Sequence, residues 1–259
     1  MTDSAPDSQN SFVLQKQAPS SSQEPLEVHH LSHDLRGPLN SILGFSELLL
    51  EGIEGPLTEM QMEDIGAINE SAKNLLRLIN NVVDLSKLQA KQLNCEFSPV
   101  NLDTILQRVT GFDFGANKPA QLEVVVDQAV EMLPPLWGDA ARIEQMILNL
   151  IRYAFRLKRS GQLNLIAQAA GPAVIIRVGF DEVLLSSVEL NQLFELGVKV
   201  DPGGRSELGP GGLELPLARG LAETHHGQAW AESTAEAGTY LYLKLPVYAD
   251  RISEFMDKQ

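Results

Sequence analysis

Apolar residues recur at helical spacing through the first third of the chain. Leu31, Leu35, Pro38, Ile42, Phe45 and Leu49 step by four, three, four, three and four, predicting a helix with a heptad seam from Glu27 onward. The seam stops at Gly52-Ile53-Glu54-Gly55-Pro56-Leu57, a turn punctuated by glycine and proline. Thr58 followed by Gln61 has the form of a capping box opening a second helix. That helix carries its own seam, Ile65, Ile68, Ala72, Leu75, Ile79 and Val82, widened by Leu76, Leu78, Val83, Leu85 and Leu88. Two seamed helices joined by a short turn make an antiparallel hairpin. A lone hairpin leaves half its stripe in water. Pairing with a second copy into a dimeric four-helix bundle is therefore expected for residues 27–98.

After Ser98-Pro99 the pattern mixes helix and strand. Leu102–Val109 and Ala140–Leu157 read as helices and Leu122–Val126 as a strand. Leu163–Ala169 and Val174–Phe180 flank Gly171-Pro172 as a hairpin. A glycine-rich stretch, Gly197–Gly212, precedes a helix at Leu213–Thr224, and Tyr240–Leu245 is a closing strand. The expected class for residues 99–248 is an α+β sandwich with helices on one face of a mixed sheet. Residues 1–26, rich in Ser, Gln, Pro and Asp, lack apolar periodicity and are expected to be a disordered tail, with 249–259 a short C-terminal tail.

Composition narrows the function classes. Twenty Lys and Arg face 34 Asp and Glu, a net charge of −14, so a polyanion such as DNA is repelled. No stretch is apolar and long enough for a membrane span, and one cysteine, Cys95, excludes an internal disulfide framework and a cysteine-based zinc site. A reducing cytoplasm is the expected location, with neither nucleic acid nor membrane insertion among its partners.

His33 lies two residues from both Leu31 and Leu35, about 200° around a helix from each, and so faces away from the seam. Asp34 follows it. An exposed imidazole whose Nδ1–H is held by a carboxylate leaves Nε2 free to attack phosphorus. For one isolated histidine, a solvated side chain is the plainer explanation. The surrounding string, Ser32-His33-Asp34-Leu35-Arg36-Gly37-Pro38-Leu39-Asn40-Ser41-Ile42, resembles the H-box of sensor histidine kinases. Further segments follow in that family's order: Gly138-Asp139 with Asn149-Leu150, Leu193-Phe194-Glu195, Gly211-Gly212-Leu213-Glu214-Leu215 with His225-His226-Gly227, and Gly238-Thr239. The resemblance covers residues 27–248. It implies a dimerisation and phosphoacceptor hairpin joined to a GHKL-type ATPase-like domain, with His33 as the phosphorylated residue.

The nucleotide site departs from the family pattern. The second asparagine of the N-box, a magnesium ligand in the family, is Tyr153 here, a poor ligand for an ion that demands hard oxygens in a tight octahedron. Counting along the strand of Val174, Ile176 and Val178, the family's adenine-binding aspartate falls on Phe180 and its glycines on Glu182 and Leu184. Asp181 is one residue late, facing the other way unless a bulge intervenes. Pro210 and Glu214 replace glycines near the phosphates. Asn149, Arg156, Gly211 and Gly212 are the remnant nucleotide contacts. Neither ATP nor magnesium is therefore expected as a cofactor, unless the chain is a divergent autokinase. Gly37, four residues after His33, has no side chain to position the water of a phosphatase reaction. The glycine-rich stretch is either a remnant ATP lid or a mobile loop. His225-His226 point about 100° apart if helical and chelate poorly. His29 and His33 have no evident third ligand, so no metal site is expected.

Three readings follow: a homodimeric phosphotransfer protein or pseudokinase in which His33, oriented by Asp34, exchanges phosphate with a response-regulator receiver aspartate, a partner kinase being a further candidate; an ATP-dependent histidine autokinase; and a dimeric interaction module without chemistry.

Overall fold

A computed structural model describes residues 24–53, 55–115, 118–119, 121–128, 133–158, 160–180, 184–196 and 212–248. Two long helices, α1 (Glu24–Leu50) and α2 (Glu59–Gln89), run antiparallel as the hairpin. The first begins three residues before Glu27, because Pro25 is tolerated in a first turn where no backbone N–H is needed. At Thr58 both halves of the capping box form. The remainder of the predicted tail, and residues 249–259, lie outside the described residues.

The contact between α1 and α2 differs from the predicted seam. It runs through Ser32, Leu39 and Ser46 on α1 and Asn69, Ala72 and Val83 on α2, all buried. Asn69 Nδ2 donates to Ser46 Oγ at 2.8 Å, and Arg36 Nη2 donates to Asn80 Oδ1 at 2.8 Å. These bonds pair Asn69 with Ser46 and Arg36 with Asn80 across the hairpin and fix its register, bringing His33 level with the Val83–Asp84 turn of α2. Ala72 and Val83 of the predicted α2 stripe thus turn inward, whereas Leu35, Ile42 and Phe45 on α1, and Ile68, Leu75 and Val82 on α2, form an outward face exposed in the single chain.

The second body starts with β1 (Ser98–Val100), which pairs antiparallel with β3 (Leu136–Gly138). A five-stranded sheet has the order β2-β4-β5-β7-β6, formed by β2 (Gln121–Gln128), β4 (Ser160–Ala170), β5 (Ala173–Phe180), β6 (Gln228–Thr234) and β7 (Gly238–Pro246). Only β2 and β4 pair in parallel; the other pairs are antiparallel. Helices α3 (Leu102–Thr110), α4 (Ala140–Leu157) and α6 (Glu214–Thr224) bury their apolar stripes against the inward residues Leu163, Leu165, Val174, Ile176, Leu241 and Leu243. A short helix, α5 (Ser187–Gln192), is held by a capping box between Ser186 and Glu189. The mixed sheet and its helices match the expected class. Strands β1, β3 and β6 have no counterpart among the predicted elements; β1 and β3 are three residues each, too short for a period-two signal.

The histidine pair is also placed differently from a helical pair. His225 is the C-cap of α6 and His226 lies beyond it with φ +57°. The buried His225 ring donates from Nδ1 to Leu221 O at 2.8 Å and accepts at Nε2 from the Asp139 N–H at 3.0 Å. Asp139 is the N-cap of α4, accepting from Ala141 and Arg142 N–H. Gly138 is required here, since a Cβ would strike the His225 ring.

Candidate functional site

His33 projects from α1 into solvent, its side chain 82% exposed, with Asp34 beside it 80% exposed. Nδ1 of His33 lies 3.5 Å from Asp34 Oδ1. The carboxylate thus flanks Nδ1 and leaves Nε2 open, the geometry an incoming phosphorus needs. Pro38 sits inside the same helix, and Gly37 offers no side chain, its carbonyl accepting from Ser41 Oγ. The side chain of His29 lies outside the described set.

Of the candidate nucleotide contacts, Asn149 and Arg156 lie on α4 and Gly212 just before α6. Asn149 is buried on α4, and its Nδ2 has no hydrogen-bond partner among the described residues. One turn on, Tyr153 is buried too, and its hydroxyl is likewise unpartnered among the described residues. Burial pushes the Tyr153 phenol upward in pKa, outweighing the nearby Arg156. Glu214, the first residue of α6, is 2% exposed. Its Oε2 accepts from Arg156 Nη2 at 2.6 Å and its Oε1 from Arg77 Nη1 at 2.9 Å. Burial alone raises this carboxyl, but Arg156 and then Arg77 hold it below the usual carboxylate range. Arg152 lies nearby, over the rings of Phe112 and Phe114, brought down to about 10 by burial and by Arg77.

Arg156, expected as a phosphate contact, is therefore engaged by the chain's own carboxylate. Gly212 is half-buried with φ +135°, a conformation that favours glycine. Gly211, Asp181, Glu182 and the glycine-rich stretch up to residue 211 lie outside the described residues, as does the Phe180 side chain. Phe180 pairs with Thr239 in the sheet, and Leu184 is exposed. The residue that sequence reasoning missed is Arg77. It comes from the hairpin, 137 positions away from Glu214, and no local pattern links the two.

Residues 26–91 match the family described as His Kinase A (phospho-acceptor) domain, and residues 138–249 that described as Histidine kinase-, DNA gyrase B-, and HSP90-like ATPase. The chain belongs to the two-component histidine kinase family and carries the two domains of its catalytic core. It is 30% identical to the circadian input-output histidine kinase CikA of Synechococcus elongatus over 83% of this chain and 29% of that one. With the histidine protein kinase DivJ of Caulobacter vibrioides it shares 32% identity over 84% of this chain and 36% of that one. The chain thus spans about a third of the length of these relatives. Full-length ShkA, solved in complex with AMPPNP, has a similar fold, with a TM-score of 0.67 at 24% identity over 86% of this chain and 46% of that one. The histidine kinase AdeS of Acinetobacter baumannii aligns with a TM-score of 0.56 at 18% identity over 83% of this chain and 98% of that one. Among the described residues, no helix is long and apolar enough to cross a membrane.

Proposed function

We propose that His33 exchanges a phosphoryl group with the aspartate of a response-regulator receiver domain, in a homodimer whose ATPase-like domain serves as a docking surface. The observation that carries this reading is the contrast between an open, carboxylate-flanked imidazole and a nucleotide site whose basic residue is already neutralised. In the forward direction Nε2 of His33 attacks phosphorus in line. The N–P bond forms as the phosphorus–oxygen bond to the aspartate breaks, and the aspartate leaves as a carboxylate. Asp34 acts on the far nitrogen, holding the Nδ1 proton and stabilising the positive charge that develops on the ring.

The nucleotide site does not fit Mg-ATP. Tyr153 brings a buried phenol to a position that needs a hard ligand, and a phosphate approaching Arg156 must displace Glu214. No step of this mechanism passes through nucleotide. The named relatives weigh toward a second reading, ATP-dependent autophosphorylation of His33 with Asn149, Arg156, Gly211 and Gly212 as contacts, because CikA and DivJ are both described as histidine kinases. The homodimer is supported by the exposed apolar face of α1 and α2.

The test mixes this chain with receiver domains phosphorylated beforehand and follows acid-labile label. Transfer to the wild-type chain and none to His33→Gln is expected, with Asp34→Asn slowed about tenfold or more. Equal labelling of His33→Gln, or no transfer from any receiver of the host, overturns the phosphotransfer reading. Labelling by Mg-ATP alone establishes the autokinase instead.

A further inference from the structure

Helix α2 meets the ATPase-like body along one stripe. Glu70 lies against Gly115, Arg77 against Glu214, Asp84 against Arg142 and Leu88 against Gly220, where a Cβ would strike Leu88. The first three are seven residues apart, so they share a face of the helix. The two ion pairs alternate in sign. At position 77 the hairpin supplies the cation: one buried carboxylate, Glu214, accepts from Arg77 of the hairpin and Arg156 of its own body simultaneously. At position 84 the hairpin supplies the anion: Asp84 Oδ2 accepts from Arg142 Nη1 at 2.8 Å and from Gln145 Nε2 at 2.9 Å. The contacts sit about 10 Å apart along α2.

Two contacts of opposite polarity select one seating. Sliding the body by one heptad would set Arg77 against Arg142 or Asp84 against Glu214, and like charges in a part-buried contact are costly. The anchor at Glu214 is made from the chain's own side chains and needs no ligand to complete it.

We propose that Arg77 and Asp84 form a charge code that seats the ATPase-like body on the hairpin in a single register, with Glu214 as the latch that holds it there without nucleotide. The inference concerns the placement of the two bodies and stands apart from the phosphate source of His33. Release then requires an anion or a partner's acidic group to win the two guanidiniums from Glu214.

The experiment uses the full chain with Cys95→Ser, spin labels at cysteines introduced at Lys73 and Glu223, and an excess of unlabelled chain to suppress pairs between copies. Both label sites are exposed. The background chain should give one narrow distance distribution without nucleotide. Arg77→Gln keeps the Glu214–Arg156 pair inside the body and removes only the hairpin's share, so the fold should persist while the docked-to-undocked ratio falls about tenfold or more. Asp84→Arg should broaden the distribution similarly, and adding Arg142→Asp should restore the narrow peak. Near-ultraviolet circular dichroism of Trp137 and Trp230 verifies folding of each variant. A background chain that is already broad, an unchanged peak in Arg77→Gln, or a double reversal no better than its single parent overturns the proposal.

Discussion

Ile42→Asp separates the stability of the hairpin from the association of two copies. In the single chain Ile42 is 45% exposed, and two other residues of the outward face, Phe45 at 69% and Ile68 at 52%, are more open still. Replacing a half-exposed isoleucine forfeits about half its burial, roughly 1 kcal/mol of folding stability. In a homodimer the same face is covered, and symmetry removes two carboxylates from water at once. At several kcal/mol for each unpaired ion the penalty is roughly 6 kcal/mol or more, about four orders of magnitude in the dissociation constant. A nanomolar dimer would thus become a micromolar-to-monomeric species with its helices intact. Light scattering across a concentration series reads the mass, and far-ultraviolet circular dichroism reads the helices. Ile42→Ala, which removes area without adding charge, should weaken the dimer far less. A wild-type chain that is monomeric at micromolar concentration, or an Ile42→Asp chain that dimerises equally well, refutes the reasoning. Ile79 is a poorer choice, because it is already half-buried in the single chain and its replacement disturbs the fold itself.

Mg-ATP should bind the wild-type chain more weakly than about 1 mM by titration calorimetry; micromolar affinity would promote the autokinase reading. Phe155→Ala should destabilise the ATPase-like body by about 3–5 kcal/mol in denaturant titration, because the ring is buried and packs edge-on against Phe114. Burial depresses the pKa of His225, so the unfolded chain takes up its proton first on acidification. Stability should fall as pH drops below about 6.5 and this contribution should level off below the folded value, a slope that His225→Gln removes in thermal melts. Glu214 titrates in a lower window: its carboxyl is depressed, so its contribution is complete above the ordinary carboxylate value and is lost as pH falls through the folded one.

Much of the fold was legible because long elements carry strong periodicity. The helix pattern located α1, α2 and α4, and alternation located β5 and β7 to within a residue or two. The direction of the hairpin seam was not legible. Leu35, Ile42 and Phe45 form the more apolar row, yet the contact inside the hairpin uses Ser32, Ser46 and Asn69. Polar residues can occupy such a contact when they bond across it, and a hydropathy pattern does not record bonding. Strand β6 was missed for a related reason, since Gln228–Thr234 mixes Ala, Glu, Ser and one Trp on a strand at the edge of the sheet.

The candidate site divides in the same way. His33 and Asp34 are adjacent in sequence, so their pairing could be proposed from the string alone, and the structure places them in solvent at ion-pair distance. Glu214 stood out only as a misfit, a carboxylate where the resemblance calls for glycine. On sequence its effect was repulsion of the triphosphate itself, an argument between one side chain and an incoming ligand. The fold adds a third member, Arg77, from the other body, and that changes the sign of the argument. A lone carboxylate beside a phosphate-binding arginine is a defect; a buried carboxylate held by two guanidiniums is a completed interaction. The glycine-to-glutamate difference and the arginine on α2 therefore belong to one physical unit. Glu214→Gly alone would leave Arg77 and Arg156 without the counter-charge they share, so on the reading proposed above that single change should not raise Mg-ATP affinity in titration calorimetry unless Arg77 on the hairpin is changed as well.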